Sequence, residues 1–190
     1  KNKAAQMGYR PNLVASGLRT NRTMTVGIVI PDITNSLFPP IVRGVESVLE
    51  EAGYASILVN TDGDGKREER LLDLLLERGV DGIIDAAVTS QDKKVTSIYE
   101  RVPIITANRM VFGSGIPAVI NDDAAGIKKM FDLLVAKGHE NIGYIGGPER
   151  LSTGEIRNRA FKEAVAINDL ELNAKNTVFA NNYTEEDGLN

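Results

Sequence analysis

Short apolar runs alternate along the chain with longer stretches in which apolar residues return every three or four positions. The runs Val26 to Ile30, Ala55 to Asn60, Gly82 to Asp85 and Pro103 to Thr106 read as strands. They lack the in–out alternation of a half-exposed sheet, which points to parallel strands covered on both faces. Between them Ile41, Val42, Val45, Val48, Leu49 and Ala52 recur at helical spacing, and Leu71, Leu72, Leu75 and Leu76 do so again. Gly53 and Gly79 stand where those two helices should end, each shortly before the next strand. β-α-β units joined by right-handed crossovers wind into an open, doubly wound sheet.

A second set of elements begins near Pro117. It comprises a strand Ala118 to Ile120, a helix Ala124 to Lys137, a strand Ile142 to Ile145, a further helix, and a strand near Thr177 to Ala180. Ile127, Met130, Phe131, Leu134 and Val135 mark the buried stripe of the first helix. Ile156, Ala160, Phe161 and Ala164 mark that of the second, with Ser152 or Thr153 as its cap. The Gly- and Ser-rich loop Met110 to Gly115 is the expected domain transition. The reading is α/β, with one subdomain over 25–117 and part of another over 118–190.

Ahead of the first strand, Gly8-Tyr9-Arg10-Pro11-Asn12 opens a short helix-prone run that closes on Leu18-Arg19-Thr20. Pro11 sets the backbone dihedral for helix entry. About eight residues cannot hold a helix alone, since isolated helices below about 12 to 15 residues are marginal in water. The run needs a partner to fold. Charge separates this stretch from the rest: Lys1, Lys3, Arg10, Arg19 and Arg22 stand there without one Asp or Glu, while the whole chain carries 22 Lys+Arg against 26 Asp+Glu. A basic arm on a mildly acidic body can meet phosphates locally but argues against a nucleic-acid surface spread over the molecule.

The chain has no cysteine, hence no disulfide or thiolate metal site. No apolar stretch approaches a membrane span and the start lacks the apolar core of a signal peptide, so a cytoplasmic protein is expected. A first residue other than Met, and a helix start cut short over Tyr183 to Asn190, make a fragment at both ends the expectation.

Candidate catalytic groups are sparse. His139, the only histidine, follows Lys137-Gly138 at a helix end, and no Gly-x-Ser-x-Gly elbow occurs. Asp62-Gly63-Asp64-Gly65 imitates the start of a calcium loop, but Arg67 stands where the loop needs glycine and Asp73 where it needs Glu, so a turn capping the next helix fits better. Gly146-Gly147-Pro148 reads as a turn rather than a phosphate cradle. Ligand binding fares better, because open α/β sheets bind at the carboxyl ends of their strands. Asp32 and Asn35, Asn60 and Asp62, then Asn108 and Arg109 follow the first, second and fourth strands and should face one crevice. Such groups pair with the adjacent hydroxyls of a sugar or nucleoside, while Phe38 can stack on an apolar ring face. Helix capping by Asp32 and Asn35 is the alternative.

The hinge run, together with Thr25-Val26-Gly27-Ile28-Val29-Ile30-Pro31-Asp32-Ile33-Thr34-Asn35-Ser36-Leu37-Phe38, resembles the LacI/GalR family of transcription repressors. Val80-Asp81-Gly82-Ile83-Ile84, Pro103-Ile104-Ile105, Gly138-His139 through Ile142, and Gly146-Gly147-Pro148 are similar to later landmarks of that family in the same order. The resemblance implies two subdomains of periplasmic-binding-protein-like type, the second incomplete, preceded over residues 1–24 by the tail of a helix-turn-helix headpiece, Lys1 to Met7, and by the DNA hinge with its helix. It further implies DNA contacts from Arg10, Asn12, Ala15, Leu18 and Arg19, with Leu18 wedged between base pairs in the minor groove. Phe38 against the effector, Asn108 and Arg109 on the hinge side of the crevice and Arg157 on the second subdomain's side follow from the same likeness. One departure stands out: family hinges commonly read Ala-Arg-x-Leu, whereas Ala15-Ser16-Gly17-Leu18 loses a cation and gains a glycine that costs roughly 1 kcal/mol in a helix.

The expected protein is therefore an effector-responsive transcriptional regulator, a repressor type. It would be a homodimer or dimer of dimers, bind operator DNA and a sugar or nucleoside, and use no cofactor, no metal and no catalysis. A sugar-binding protein of a transport system shares the fold and is the alternative, but it needs an export signal and no DNA hinge. A sugar-modifying enzyme lacks plausible nucleophile–base pairs here.

Overall fold

The structure, a computed structural model, describes residues 22–171 and 176–189. Its strands are β1 (Thr25–Ile30), β2 (Ala55–Asn60), β3 (Gly82–Asp85), β4 (Ile104–Ala107), β5 (Ala118–Val119), β6 (Tyr144–Gly146) and β7 (Thr177–Phe179). The helices are α1 (Phe38–Glu51), α2 (Gly65–Glu77), α3 (Lys93–Tyr99), α4 (Asp123–Ala136), α5 (Ser152–Ile167) and α6 (Glu185–Leu189). Strands β1 to β5 form a sheet of order β2-β1-β3-β4-β5, and β6 pairs with β7. The described ladders are parallel, with Ile28 opposite both Leu58 and Ile84, Thr106 opposite Ala118, and Ile145 opposite Val178. The short strand at Ala118 was expected to open a second sheet; it instead pairs with β4 and extends the first.

Two compact units emerge. One holds the described residues up to Ala87 together with Ile98–Ile104; the other holds Val88–Ser97 and the described residues from Ile105 onward. The loop Met110 to Gly115, expected as the domain transition, lies within the second unit.

In the first unit β1 is the sheet's centre, with β2 on one side and β3 on the other. Ile28, Val29 and Ile30 are all at most 2% exposed, as a strand covered on both faces requires. Leu72 and Leu75 of α2 are fully buried. A Cβ added at Gly27 would stand 2.7 Å from Leu75 Cδ1, so the glycine is what admits this helix so close to the strand. Burying each such Leu or Ile contributes about 1.5–3 kcal/mol relative to exposure. Helix α1 starts three residues before the apolar spacing begins: Pro39 and Pro40 fall in its first turn, where a missing N–H costs nothing. Asp64 caps α2 by accepting the Lys66 N–H at 2.8 Å and the Arg67 N–H at 3.2 Å, the turn-and-cap role expected of it. Gly53 and Gly79 take φ of +77° and +67° at the helix ends, the left-handed region that stops a helix at little cost in glycine.

The second unit packs Phe131 of α4 against Phe161, Ala164 and Val165 of α5, with Ile127, Val135, Ile142, Tyr144 and Leu170 around them. Phe161 stacks on Tyr144 at a centroid distance of 4.5 Å and meets Phe131 edge-on at 5.7 Å. Met130, expected on the buried stripe of α4, is 60% exposed. The helix turns Ile127, Phe131 and Val135 inward, and a residue one position before Phe131 points about 100° away. Helix α3 was not expected from the apolar pattern; its seven residues are anchored by Asp92, which accepts the Val95 N–H at 2.9 Å.

Candidate functional site

In the first unit β1 and β3 flank the point where strand order reverses, the place where open α/β sheets leave room for a ligand. Past β1 the chain forms a tight polar loop. Asp32 Oδ1 accepts both the Thr34 hydroxyl at 2.7 Å and the Thr34 N–H at 2.8 Å. Those two bonds, the hydroxyl's first, hold the Asp32 carboxyl below the usual carboxylate range. Asn35 Oδ1 accepts the Leu37 N–H at 3.0 Å just before α1. Across from it, at the end of β2, Asn60 accepts the Ile33 N–H at 2.8 Å and donates to Asp62, which pairs in turn with Arg67.

Asp32, Asn35 and Asn60 are thus gathered into one loop cluster that they themselves hold together. Asp32 and Asn35 do local backbone work as well as standing at the strand end. Phe38 opens α1 and is 2% exposed, its ring covered by protein. Asp85, fully buried at the end of β3 and accepting the Ala87 N–H at 2.8 Å, was missed: inside an apolar run it gives no periodic signal.

In the second unit Asn108 follows β4 at φ +63° and donates its N–H to the Val119 carbonyl at 2.8 Å. A non-glycine residue in this region is uncommon, Asn among the more tolerant, and such strain gathers at functional sites. Arg109 is 8% exposed. The next residue, Met110, donates its N–H to Ser152 Oγ at 2.9 Å, which ties this segment to the first turn of α5. Ser152 and Thr153 were expected to cap α5, and neither does. The helix is preceded by Leu151 without a side-chain cap bond. Both hydroxyls are buried, at 1% and 4% exposure, and take tertiary partners instead, Thr153 Oγ1 lying 3.4 Å from the Tyr183 hydroxyl.

Arg157, one turn further along α5, directs Nε and Nη2 to the same oxygen of Asp123, at 2.9 and 2.8 Å. Burial works against the guanidinium's charge, but the hydrogen bond and the charge of Asp123 outweigh it and raise the arginine's pKa above its ordinary value. Asp122 takes the capping role on α4, accepting the Ala125 N–H at 3.0 Å, which leaves Asp123 for Arg157. A pair of adjacent aspartates before a helix reads as one cap, so the sequence did not separate their roles. Asn158 donates to Glu149 at 2.9 Å and keeps a buried Oδ1 without a hydrogen-bond partner among the described residues. Tyr183 carries no signal in the sequence beyond standing where a last helix begins. It lies so close over the turn after β6 that a Cβ on Gly147 would stand 2.1 Å from its hydroxyl.

Each unit therefore presents amide, carboxylate, hydroxyl and guanidinium groups at the carboxyl ends of its strands, chemistry suited to a polyhydroxylated ligand. His139 is exposed and its backbone N–H closes the end of α4 onto Leu134 at 3.1 Å. Among the described residues no three His, Asp or Glu side chains are placed to hold a metal ion, and no helix is long and apolar enough to cross a membrane. Arg10, Asn12, Ala15, Leu18 and Arg19, the residues expected at DNA, lie outside the described residues.

Residues 23–182 match the family described as periplasmic binding proteins and sugar binding domain of LacI family. Catabolite control protein A of Staphylococcus xylosus is 33% identical over 185 residues, covering 97% of this chain and 56% of that protein. The HTH-type transcriptional regulator RegA of Clostridium saccharobutylicum is 38% identical over 143 residues, 74% of this chain and 43% of that one. A periplasmic binding protein/LacI transcriptional regulator from Alkaliphilus metalliredigens QYMF, solved in complex with D-xylulofuranose, superposes with a TM-score of 0.74 at 26% identity, covering 86% of this chain and 59% of that chain. The chain spans about half the length of the curated relatives it matches.

Proposed function

This chain belongs to the LacI family of transcription regulators, and from that premise we propose that the complete protein is a sugar-responsive repressor. It binds operator DNA as a homodimer or dimer of dimers in the cytoplasm, and it binds its effector without chemically changing it. The effector is a sugar or nucleoside. Asp32, Asn35 and Asn60 serve it in the first unit, and Asn108, Arg109 and Arg157 in the second; Phe38, expected to stack on its ring face, is covered by protein and is not counted among them. Arg10, Asn12, Ala15, Leu18 and Arg19 serve the DNA.

One observation carries the choice of regulator over transport protein. The sensor-domain match begins at residue 23, yet the likeness to catabolite control protein A takes in 97% of the chain and so most of the basic arm before that point. A solute-binding protein has no use for that arm. Arg157, preset by Asp123, offers its remaining N–H groups to vicinal hydroxyls, and the orphaned Asn158 Oδ1 can accept from one.

The test uses the complete protein and a duplex it selects from a randomised pool. Pentoses, hexoses, their phosphates and nucleosides are titrated in turn. At least one should change duplex affinity by about 5- to 150-fold, the usual range of allosteric coupling, and be recovered unaltered by mass spectrometry. Arg157→Ala should weaken that ligand about ten- to a hundredfold, as loss of charge-assisted hydrogen bonds worth about 1.5–3 kcal/mol implies. Failure to select any duplex overturns the regulator reading; undiminished ligand affinity in Arg157→Ala overturns the site.

A further inference from the structure

Building on the regulator reading, we propose that Asp81 is the positioning residue that fixes where the DNA-binding arm leaves the sensor domain. Asp81 sits in the turn between α2 and β3, half-buried, and its carboxylate grips the chain just ahead of β1. Oδ1 accepts the Thr23 N–H at 2.8 Å and Oδ2 accepts the Met24 N–H at 3.0 Å. The Thr23 hydroxyl lies 2.8 Å from the Gly79 carbonyl and 3.2 Å from Asp81 Oδ1. The backbone completes the clamp: Asp81 N–H donates to the Thr25 carbonyl at 2.8 Å, and the Met24 carbonyl accepts from Ala55 N–H at 2.9 Å.

Met24 takes φ +53° inside this clamp. A non-glycine residue persists in the left-handed region only where its surroundings over-determine it, and here two consecutive N–H groups are held by the two oxygens of one carboxylate. Among side chains only an ionised Asp or Glu accepts at both positions. An amide would set its own N–H against one of the backbone donors. The chemistry of Asp81 is therefore specific to the bend, and the bend sets the direction in which the preceding residues depart.

The spacing makes that direction matter. Leu18 lies five positions before Thr23, and an extended chain spans at most about 3.3–3.6 Å per residue, so Leu18 stays within roughly 18 Å of the clamp. Releasing residues 23 and 24 would add about 7 Å of free tether and unfix its angle. A looser tether lowers the effective concentration at which the arm meets its site and blurs the register between paired arms. Binding to random DNA rests on phosphate contacts and does not need that register.

The test compares the complete wild-type protein with Asp81→Asn and with Thr23→Val, which keeps the β-branch and the backbone bonds but removes the hydroxyl. The probes are the duplex that the wild type selects from a randomised pool and a scrambled duplex of equal length, at one salt concentration. Asp81→Asn should lower the selected-to-scrambled affinity ratio at least tenfold and Thr23→Val by a smaller factor in the same direction. Scrambled-duplex affinity should stay within twofold. Hydrogen exchange should show the Thr23 and Met24 amides losing protection while β1 keeps its own, a local signature that general destabilisation does not give. A wild-type ratio well above one that both variants retain refutes the clamp's role alone. A wild-type ratio of one refutes the regulator reading and this inference with it.

Discussion

Gly154→Ala is the substitution for which the structure gives the most direct magnitude. Gly154 lies in the first turn of α5, and a Cβ built on it would stand 2.1 Å from the Pro148 carbonyl oxygen and 2.8 Å from its carbon. Contacts under 3.0 Å are essentially never seen, so the methyl is about 0.9 Å too close to backbone that no rotamer change can move. The same carbonyl accepts the Leu151 N–H at 3.1 Å, so retreat of the 146–148 turn strains the entry to α5, and retreat of α5 carries Thr153 and Arg157 with it.

Overpacking of this kind costs about 1–3 kcal/mol, and the backbone neighbour places it in the upper half of that range. Unfolding of a domain of 150–250 residues shifts by about 2–4 °C per kcal/mol, so the midpoint of the complete protein's sensor transition should fall by several degrees. A displacement near 1 Å is also enough to spoil hydrogen bonds that need 2.7–3.2 Å, so calorimetry should find effector affinity lowered about tenfold. Gly27→Ala is the control: its new methyl meets the end of a Leu75 side chain, which lowers the midpoint without touching the effector. If Gly154→Ala leaves both midpoint and affinity unchanged, the close approach of α5 to the Gly146–Pro148 turn is wrong, and so is the site built on it.

Phe161→Ala removes a ring that is 4% exposed and meets both Tyr144 and Phe131. A loss of about 3–5 kcal/mol is expected by denaturant unfolding of the complete protein, whereas Phe161→Leu, which restores much of the apolar volume, should lose clearly less; equal losses would mean that apolar bulk recovers nothing and the ring contacts carry the whole effect. For Asp32, the folded pKa lies below the ordinary 3.8, so its contribution to stability is present above that value and disappears as pH falls through the lowered folded pKa. Thr34→Ala removes the hydroxyl that contributes most to the lowering and should move the Asp32 titration, followed by carboxyl-carbon NMR, upward. A titration left in place would remove Thr34 as its cause.

The strands β1, β2 and β3 were legible because short stretches rich in Val, Ile and Leu between helical repeats can do little else than lie in a parallel sheet, covered on both faces at β1 and less so at the edge strand β2, where Leu58 is 40% exposed. The helix stops at Gly53 and Gly79 were legible for an equally local reason, the need for positive φ. Asp64 as a cap followed from its place before a helical repeat. Local chemistry also put polar residues after β1, β2 and β4, where such sheets bind ligands.

The sequence could not say which neighbours those residues would find. Ser152 and Thr153 look like caps by position, but burial handed their hydroxyls to Met110 and Tyr183, residues 42 and 30 positions away. Asp123 became the partner of Arg157 rather than a helix cap across 34 positions, and Asp81 came to hold Thr23 across 58. Met130 faced outward because packing against α5, not apolarity alone, chose the buried side of α4. Periodicity and turn chemistry are set within a few residues, so the chain states them outright. Pairing of buried polar groups depends on which distant segments the fold brings within 3 Å, and only the tertiary structure decides that.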